Sequence, residues 1–170
     1  MTVPQVFNKD MCVACQDGIL NIRVGAIIMA NGNVLMVGND RANYLYSVGG
    51  RIKFGETAEE AVVREVWEET GVKMKVDRLG FVQENYFYGD SPSNLGKIIY
   101  EISFYFYMKM PDAFAPVCKS FTEEDNSQEH LQWVLLDTDQ KLYPEFFKTE
   151  LLHPASTVKQ IVTDERNSTR

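Results

Sequence analysis

The chain has 170 residues, enough for one compact domain with a hydrophobic core but short for two. It is 45% hydrophobic and 24% charged, as is ordinary for a globular protein, and no apolar run approaches the roughly 18 residues of a membrane-spanning helix. The 17 basic and 24 acidic residues give a formal net charge of −7, which argues against binding to long nucleic acid but permits a small anionic substrate where metal ions offset the repulsion.

A single domain over residues 1–170 is expected, with flexible tails at 1–10 and 165–170. Residues 1–10 lack the basic start and the apolar stretch of a signal peptide. A cytoplasmic location and no association with membranes are therefore the expectation.

The first half of the chain is predicted to alternate strands and turns before one strong helix. In chain order, the predicted elements are strands at 11–16, 21–30, 34–37 and 44–48 and a helix at about 58–70. The tight-turn motif Asn31-Gly32-Asn33 separates the second strand from the third. The fourth strand ends at Gly49-Gly50.

The second half continues with long strands and ends with helical patterns. The predicted elements are strands at 73–88, 97–110 and 131–136, a polar loop at 112–128, a helix from Pro144 to about 152 and a last helix at about 155–164. Many strands with one inserted helix and terminal helices indicate an α+β or mixed-sheet layered domain.

The cysteines do not indicate a disulfide framework, because there are three of them. Cys12-x-x-Cys15 has the spacing of half a zinc or redox site, but no second pair follows and the histidines are isolated at positions 130 and 153. Small hydrophobic residues buried in a strand are the preferred interpretation of both cysteines.

The helix at about 58–70 has a clear start and end. Thr57 and Glu60 form a capping box, and Gly71 stands where a left-handed C-terminal cap requires a residue without a Cβ. At about 100° per residue, Glu65, Glu68 and Glu69 share one side of the helix. The neighbouring apolar stripe, expected to face the core, consists of Val62, Val63, Val66 and Trp67.

Three carboxylates at spacings of three and four repel one another by roughly a few tenths of a kcal/mol per pair. Oxygen-rich clusters of this kind suit hard cations such as Mg²⁺ or Mn²⁺, which offset the repulsion. The helix is therefore a candidate metal site, although charged helix faces are usually just solvated.

A longer pattern surrounds the helix. It runs Gly50-x5-Glu56-x7-Arg64-Glu65-Val66-x-Glu68-Glu69-x-Gly71-Val72. Such a match arises by chance on the order of 10⁻⁸ times per starting position. The segment resembles, without one departure, the signature box of the Nudix hydrolases, and the resemblance extends more loosely over about residues 20–150.

The resemblance implies an α+β fold, a Nudix-like α/β/α sandwich around a mixed β-sheet. It also implies hydrolysis of a phosphoanhydride bond in a nucleoside diphosphate linked to another moiety, with Mg²⁺ or Mn²⁺ as cofactor. The implied metal ligands are Gly50 through its carbonyl, Glu56, Glu65, Glu68 and Glu69. Arg64 would orient the glutamates through salt bridges.

The group that takes the proton from the attacking water has two candidates. Glu65 comes first because its position on the helix faces the cluster. Glu129 is second because many family members carry an additional acid in the loop before this strand, here four residues before Trp133. An ordinary solvent-exposed glutamate is an equally good interpretation of Glu129. Weaker candidates are Glu123, Glu124 and Asp125.

The expected partner is a small anionic nucleotide-type substrate. Arg51 and Lys53 alternate after Gly50 and can reach phosphates from one face of an extended segment. Arg23 and Arg41 are further phosphate candidates, with an ordinary surface charge as the simpler interpretation of all four. Candidate stacking surfaces for a base are Tyr44, Tyr46, Tyr86, Phe87, Tyr88 and Trp133, most of which are expected in the core or on a sheet face.

Two other functions fit the same residues. A catalytically silent Nudix domain would bind a nucleotide metabolite as a sensor, which loss of box glutamates would favour, and none is lost. A hydrolase acting on RNA ends finds little support in the acidic balance. A homodimer is plausible, but no particular residue indicates one, and the substrate is left unnamed.

Overall fold

The computed structural model describes residues 8–40, 42–89, 93–118 and 128–167. The strands are β1 (Cys12–Ala14), β2 (Ile19–Ile27), β3 (Met29–Ala30), β4 (Asn33–Asn39), β5 (Tyr44–Ser47), β6 (Gly49–Arg51), β7 (Lys75–Tyr88), β8 (Ile98–Lys109), β9 (Glu129–Leu135), β10 (Lys141–Tyr143) and β11 (Lys159–Asp164). The helices are α1 (Ala58–Thr70) and α2 (Phe147–Glu150). In the described parts of the chain, neither helix is long and apolar enough to cross a membrane.

The strands form two sheets. The larger has the order β1-β2-β8-β7-β11, with β6 also paired to β2, and the smaller has the order β10-β5-β4-β3, with β9 also paired to β4. In the larger sheet, β2 and β8 are parallel, β8 and β7 are antiparallel, and β7 and β11 are parallel. The sheet is therefore mixed.

Two apolar cores lie on opposite faces of the larger sheet. Side chains alternate between the faces of a strand, so Val24 and Ala26 of β2 join the core that contains Val62 of α1, whereas Ile27 joins the core that contains Phe147 of α2. The sheet is thus covered by a helix on each side. The predicted α+β class and the α/β/α sandwich around a mixed sheet are confirmed.

Helix α1 begins and ends at the predicted residues. The Thr57 hydroxyl accepts a hydrogen bond from the backbone N–H of Glu60, and the Glu60 carboxylate accepts one from the backbone N–H of Thr57. At the other end Gly71 has φ of 70°, a left-handed conformation that favours glycine. These caps define the start and the end of the helix that carries the box carboxylates.

Trp67 contradicts the prediction for the apolar stripe of α1. It is 50% exposed, while Val62 and Val66 are buried. Trp67 stands about 100° around the helix from Val66, which takes it beyond the edge of the packed arc. Val63 is partly buried against the same core.

The last predicted helix, at about 155–164, is wrong. Residues Lys159–Asp164 form β11, which pairs in parallel with β7 from Lys159 opposite Phe81 to Asp164 opposite Tyr86. The burial of β11 alternates along the strand, as expected of a half-buried strand. Pairing satisfies the backbone groups along that side of β7, and local helical propensity does not outweigh it.

The helix predicted from Pro144 to about 152 is shorter in the structure. Only Phe147–Glu150 is α-helical. At its start, the N–H groups of Phe147, Lys148 and Thr149 donate to carbonyls three residues earlier, at 3.2 Å each. These tighter i to i+3 turns take up the first part of the predicted helix.

The two N-terminal cysteines are exposed, which contradicts the prediction of buried small hydrophobic residues. All three residues of β1 are exposed because the strand lies at the edge of the sheet and pairs only with β2 there. Both Cys12 and Cys15 are free thiols.

Part of each range predicted as a flexible tail is bonded to the fold. The backbone carbonyl of Lys9 accepts from the Phe54 N–H at 2.9 Å, and Asp10 forms an ion pair with Arg51 at 3.5 Å. At the other end, the Glu165 N–H donates to the Tyr86 carbonyl at 2.7 Å.

Loss of the N-terminal cap of α1 should destabilise the fold. We expect Thr57→Ala to lower the free energy of unfolding by about 1 kcal/mol, because the Glu60 N–H loses its acceptor. Thr57→Ser keeps the hydroxyl and should change it by less than about half that amount. Urea unfolding of the two variants measures the difference, and equal midpoints would contradict the capping role.

Candidate active site

A cleft of about 560 Å³ is bordered by both sheets and by the second half of α1. Predicted site residues that line it are Gly50, Arg23, Arg51, Lys53, Arg64, Glu65, Glu68, Glu69 and Glu129. Strands β2, β5, β6, β7, β8, β9 and β10 all contribute to it. The sandwich thus brings most of the predicted residues to one place.

The Gly49-Gly50 pair gives two box carboxylates their positions. Gly49 has φ of 149°, and its N–H donates to Glu69 Oε2 at 3.1 Å. A Cβ on Gly50 would collide with the carboxylate of Glu65. The absence of a side chain at Gly50 therefore lets α1 approach closely enough for Glu65 and Glu69 to lie against the strand.

Arg64 is the centre of an ion-pair network. Its Nη1 donates to Glu65 Oε1 at 2.6 Å and to Glu68 Oε2 at 3.1 Å, and its Nη2 donates to Glu56 Oε1 at 2.6 Å. Nη2 also donates to the backbone carbonyl of Arg51 at 3.1 Å. One guanidinium therefore ties the helix to the loop before it.

Glu56 is not brought to the cleft with the other box acids. Its carboxylate accepts from Arg64 at 3.0 Å and from the backbone N–H of Lys53 at 2.7 Å. Burial acts to raise the pKa of Glu56, but these hydrogen bonds hold the pKa below its ordinary value. Glu56 is thus placed to orient Arg64.

The pKa values of Glu65 and Glu69, two carboxylates of α1, are raised. Glu69 is only 8% exposed. Desolvation, followed by the negative charges of Glu65 and Glu129, raises the pKa of Glu69 well above its ordinary value. Desolvation also raises the pKa of Glu65, in spite of Arg64. A site that concentrates negative charge in this way favours a cation.

Glu129 is buried, with 9% of its surface exposed, and is the first residue of β9. The interpretation of Glu129 as a solvent-exposed loop residue is therefore wrong. Tyr46 of β5 donates its hydroxyl to Glu129 Oε1 at 2.5 Å. Desolvation and this hydrogen bond raise the pKa of Tyr46, so the phenol keeps its proton and holds the carboxylate in place.

Three of the four predicted phosphate contacts line the cleft, namely Arg23, Arg51 and Lys53. Arg23 is paired with Glu101 at 3.8 Å. Arg51 donates to Asn21 Oδ1 at 3.3 Å. The fourth, Arg41, lies outside the described residues, as do the weaker base candidates Glu123, Glu124 and Asp125.

The sequence prediction did not include the polar residues of β7 and β8 in the cleft. Gln83, Asn85 and Glu101 all line it. The sequence does hold a signal: Gln83 and Asn85 are polar residues two apart in a predicted strand, which places both on one face of the sheet. Tyr46 was considered only as a stacking surface, and its hydrogen bond to Glu129 depends on the packing of β5 beside β4 and β9.

Comparison with known proteins assigns the family. A model of the NUDIX domain matches residues 20–148. The chain belongs to the Nudix family. Over 61 residues this Nudix chain is 36% identical to a MutT-like protein of Streptomyces ambofaciens, a match that spans 36% of the chain and 40% of that relative.

Solved Nudix structures share the fold. The mutator MutT protein from Bacillus halodurans has a TM-score of 0.62 at 19% identity, over 88% of this chain and 93% of that one. For the MutT NUDIX hydrolase from Burkholderia pseudomallei the TM-score is 0.59 at 22% identity, over 77% and 96%. An ADP-ribose pyrophosphatase from Streptococcus suis has a TM-score of 0.53 at 14% identity, over 84% and 98%.

Nudix hydrolases generally use divalent metal cations, and the donors in this Nudix chain fit such an ion in their chemistry. Glu65, Glu68, Glu69 and the Gly50 carbonyl are hard oxygen donors at the cleft. In the described ranges no three acidic, histidine or cysteine side chains are grouped tightly enough to hold a metal as they stand. Arg64 instead pairs with the carboxylates.

Removing the charge of Glu69 should stabilise the metal-free protein at neutral pH. The pKa of Glu69 is higher in the folded than in the unfolded protein, so its ionisation lowers the free energy of unfolding. This stability is present below the unfolded pKa and is lost as pH rises towards the folded pKa. Glu69→Gln keeps the acceptor for the Gly49 N–H but cannot ionise, so the free energy of unfolding no longer falls in this way. We expect a gain on the order of 1 kcal/mol at pH 7, vanishing near pH 4.

Denaturant unfolding with a chelator present measures this gain. The matched control is Glu68→Gln, because the Glu68 side chain is 44% exposed and pairs with Arg64 near the surface. It should change stability by less than about 0.5 kcal/mol. A destabilised Glu69→Gln protein would show that the buried charge is compensated without metal.

Proposed function

We propose that the protein is a Nudix pyrophosphohydrolase that cleaves a phosphoanhydride bond in a nucleoside diphosphate linked to another moiety. The observation that carries the proposal is the pair of carboxylates, Glu69 buried and Glu65 partly buried, against Gly49-Gly50 at one end of the cleft. Burying two repelling charges together costs stability. A bound divalent cation would offset this loss of stability.

Glu65, Glu68, Glu69 and the Gly50 carbonyl would hold Mg²⁺ or Mn²⁺. When bound, the ion withdraws charge from the phosphoryl oxygens and lowers the pKa of a water molecule. Arg64 orients Glu65 and Glu68 through its hydrogen bonds, and Glu56 holds Arg64 in place. Both act as positioning residues.

Arg23 and Arg51 are proposed to hold the diphosphate. They lie opposite each other on the paired strands β2 and β6, in the same cleft as Glu65 and Glu69. A guanidinium binds phosphate oxygens through two parallel hydrogen bonds. Their present partners, Glu101 at 3.8 Å and Asp10 at 3.5 Å, are long ion pairs that a phosphate can replace.

Glu129 is proposed as the acceptor of the proton from the attacking water. Glu65 is engaged by Arg64 at 2.6 Å and stands among the proposed metal ligands, both of which weaken a carboxylate as a base. Glu129 faces the cleft from β9, and Tyr46 occupies its Oε1. The proton would therefore be taken at Oε2.

A substrate screen tests the reaction class. We expect the wild-type protein with Mg²⁺ or Mn²⁺ to hydrolyse at least one compound from a panel of nucleoside triphosphates, dinucleoside polyphosphates and nucleotide sugars, including ADP-ribose and a UDP-sugar. The last two are included because an ADP-ribose pyrophosphatase and a UDP-X diphosphatase share the fold. Mass spectrometry identifies the products.

On the best substrate, Glu69→Gln should lower kcat by at least about a hundredfold while the fold is retained, because glutamine keeps the shape but not the charge. A fully active variant would overturn the metal-ligand assignment. Tight binding of one compound with no turnover of any would instead support the sensor.

The proton acceptor is tested by pH–rate profiles. A base must be deprotonated to act, so its loss removes the fall in rate on the acidic side. We expect Glu129→Gln to lower kcat by about 10²–10⁴-fold and to remove that fall. Glu65→Gln should keep it and mainly weaken the dependence of the rate on metal concentration. The opposite pattern would assign the base to Glu65.

A further inference from the structure

One face of the larger sheet changes from apolar to polar along its length. Phe81 and Tyr105, paired across β7 and β8, belong to the core beneath α2. Two and four residues further along β7, on the same face, stand Gln83 and Asn85. Both are buried, at 5% and 6% exposure, and both line the cleft.

Hydrogen bonds fix the orientation of both side-chain amides. Gln83 Nε2 donates to Thr163 Oγ1 at 3.0 Å, and its Oε1 accepts from the Tyr105 hydroxyl at 3.2 Å. Asn85 Nδ2 donates to Glu165 Oε1 at 2.9 Å, and its Oδ1 accepts from Thr163 Oγ1 at 2.7 Å. The Thr163 hydroxyl thus joins the two amides.

Thr163 and Glu165 belong to the C-terminal segment, on and just after β11. This segment follows the part of the chain that matches the NUDIX domain, which ends at residue 148. The strand therefore lies outside the matched residues, and it reaches the cleft through β7. The strand register places Thr163 of β11 opposite Asn85 of β7, which allows the hydrogen bond between them.

Each amide has more hydrogen-bonding capacity than these contacts use. A carboxamide offers two N–H donors and two acceptor lone pairs, and the bonds above occupy one donor and one acceptor of each. A group that presents a donor and an acceptor side by side is complementary to such an amide, as the edges of nucleobases are. A sugar or a second phosphate lacks that planar donor–acceptor edge.

The other side of the cleft is aromatic. Tyr44 and Tyr143 line it with their rings in edge-to-face contact, 5.1 Å between centroids. Aromatic rings bind the flat face of a base, while amides bind its edge. Arg23 and Arg51 lie at the other end of the polar face, beside the box glutamates.

We propose that Gln83 and Asn85, held by Thr163 of β11, form a subsite that binds the nucleobase of the substrate and determines which base is accepted. The proposal rests on the proposed function in one respect, because the phosphates are taken to lie at the glutamate end. The base then extends across β8 towards β7 and β11.

Binding of uncleavable nucleotides tests the subsite separately from hydrolysis. The probes are α,β-methylene-ADP, α,β-methylene-UDP and the base-free α,β-methylene diphosphate of ribose, measured by calorimetry with Mg²⁺ on the full chain. We expect the wild type to bind at least one base-bearing probe about tenfold or more tightly than the base-free one. Equal binding of all three would overturn the proposal.

Two neighbouring substitutions on β11 provide a matched pair. Thr163→Val removes the hydroxyl that joins the amides and should weaken the preferred base-bearing probe by about 5–50-fold, leaving the base-free probe unchanged. Val162→Thr makes the reverse exchange on the opposite face, where Val162 is 68% exposed, and should leave all three affinities unchanged. Equal weakening of every probe by Thr163→Val would indicate a structural role and overturn the assignment.

Gln83→Met provides a second test if Thr163→Val does not fold. It keeps the length of the side chain and adds no charge but removes the amide, so the ratio of the affinities for the preferred base-bearing probe and the base-free probe should fall. An unchanged ratio would overturn the proposal. Hydrolysis of the nucleoside triphosphates, dinucleoside polyphosphates and nucleotide sugars is measured in parallel. If the base preference depends on Thr163 but no compound is hydrolysed, the proposed reaction is refuted and the subsite is still supported.

Discussion

Close approach of α1 to β6 is the constraint on which the site depends. It requires no side chain at Gly50, where the Glu65 carboxylate lies, and a left-handed backbone at Gly49, whose N–H binds Glu69. Two acids, one buried and one partly buried, are thereby held close enough for their charges to repel. Arg64 and Arg23 reduce the repulsion, but the pKa values of Glu65 and Glu69 stay raised, so the site is neutralised incompletely without a cation.

Different kinds of side chain line the two ends of the cleft. Carboxylates and guanidinium groups meet where β2, β6 and α1 converge, whereas amides and tyrosines stand towards β7 and β10. Charged groups of opposite sign near one end suit a metal–diphosphate unit. At the other end, amides and rings, with the Glu165 carboxylate beside Asn85, suit a moiety that carries no negative charge. This separation supports a substrate that spans the sheet.

Local features could be predicted from the sequence. The capping box and Gly71 define α1 through bonds between near neighbours, so its bounds were predicted correctly. The terminal segment shows the limit. Lys159–Asp164 has a pattern compatible with a helix, and only the unpaired side of β7 makes it a strand. Trp67 and the exposed cysteines differed from prediction because exposure depends on where neighbouring elements end.

By itself, the sequence determined the family, the location of the box helix and the residue types of the site, because these follow from spacing along the chain. Only the tertiary structure decided that Glu56 does not line the cleft, that Glu129 is buried and bonded to Tyr46, and that Thr163 joins Gln83 to Asn85. Thr163 and Gln83 are 80 residues apart in the chain. Contacts at such a distance depend on strand pairing and register, which no local pattern specifies.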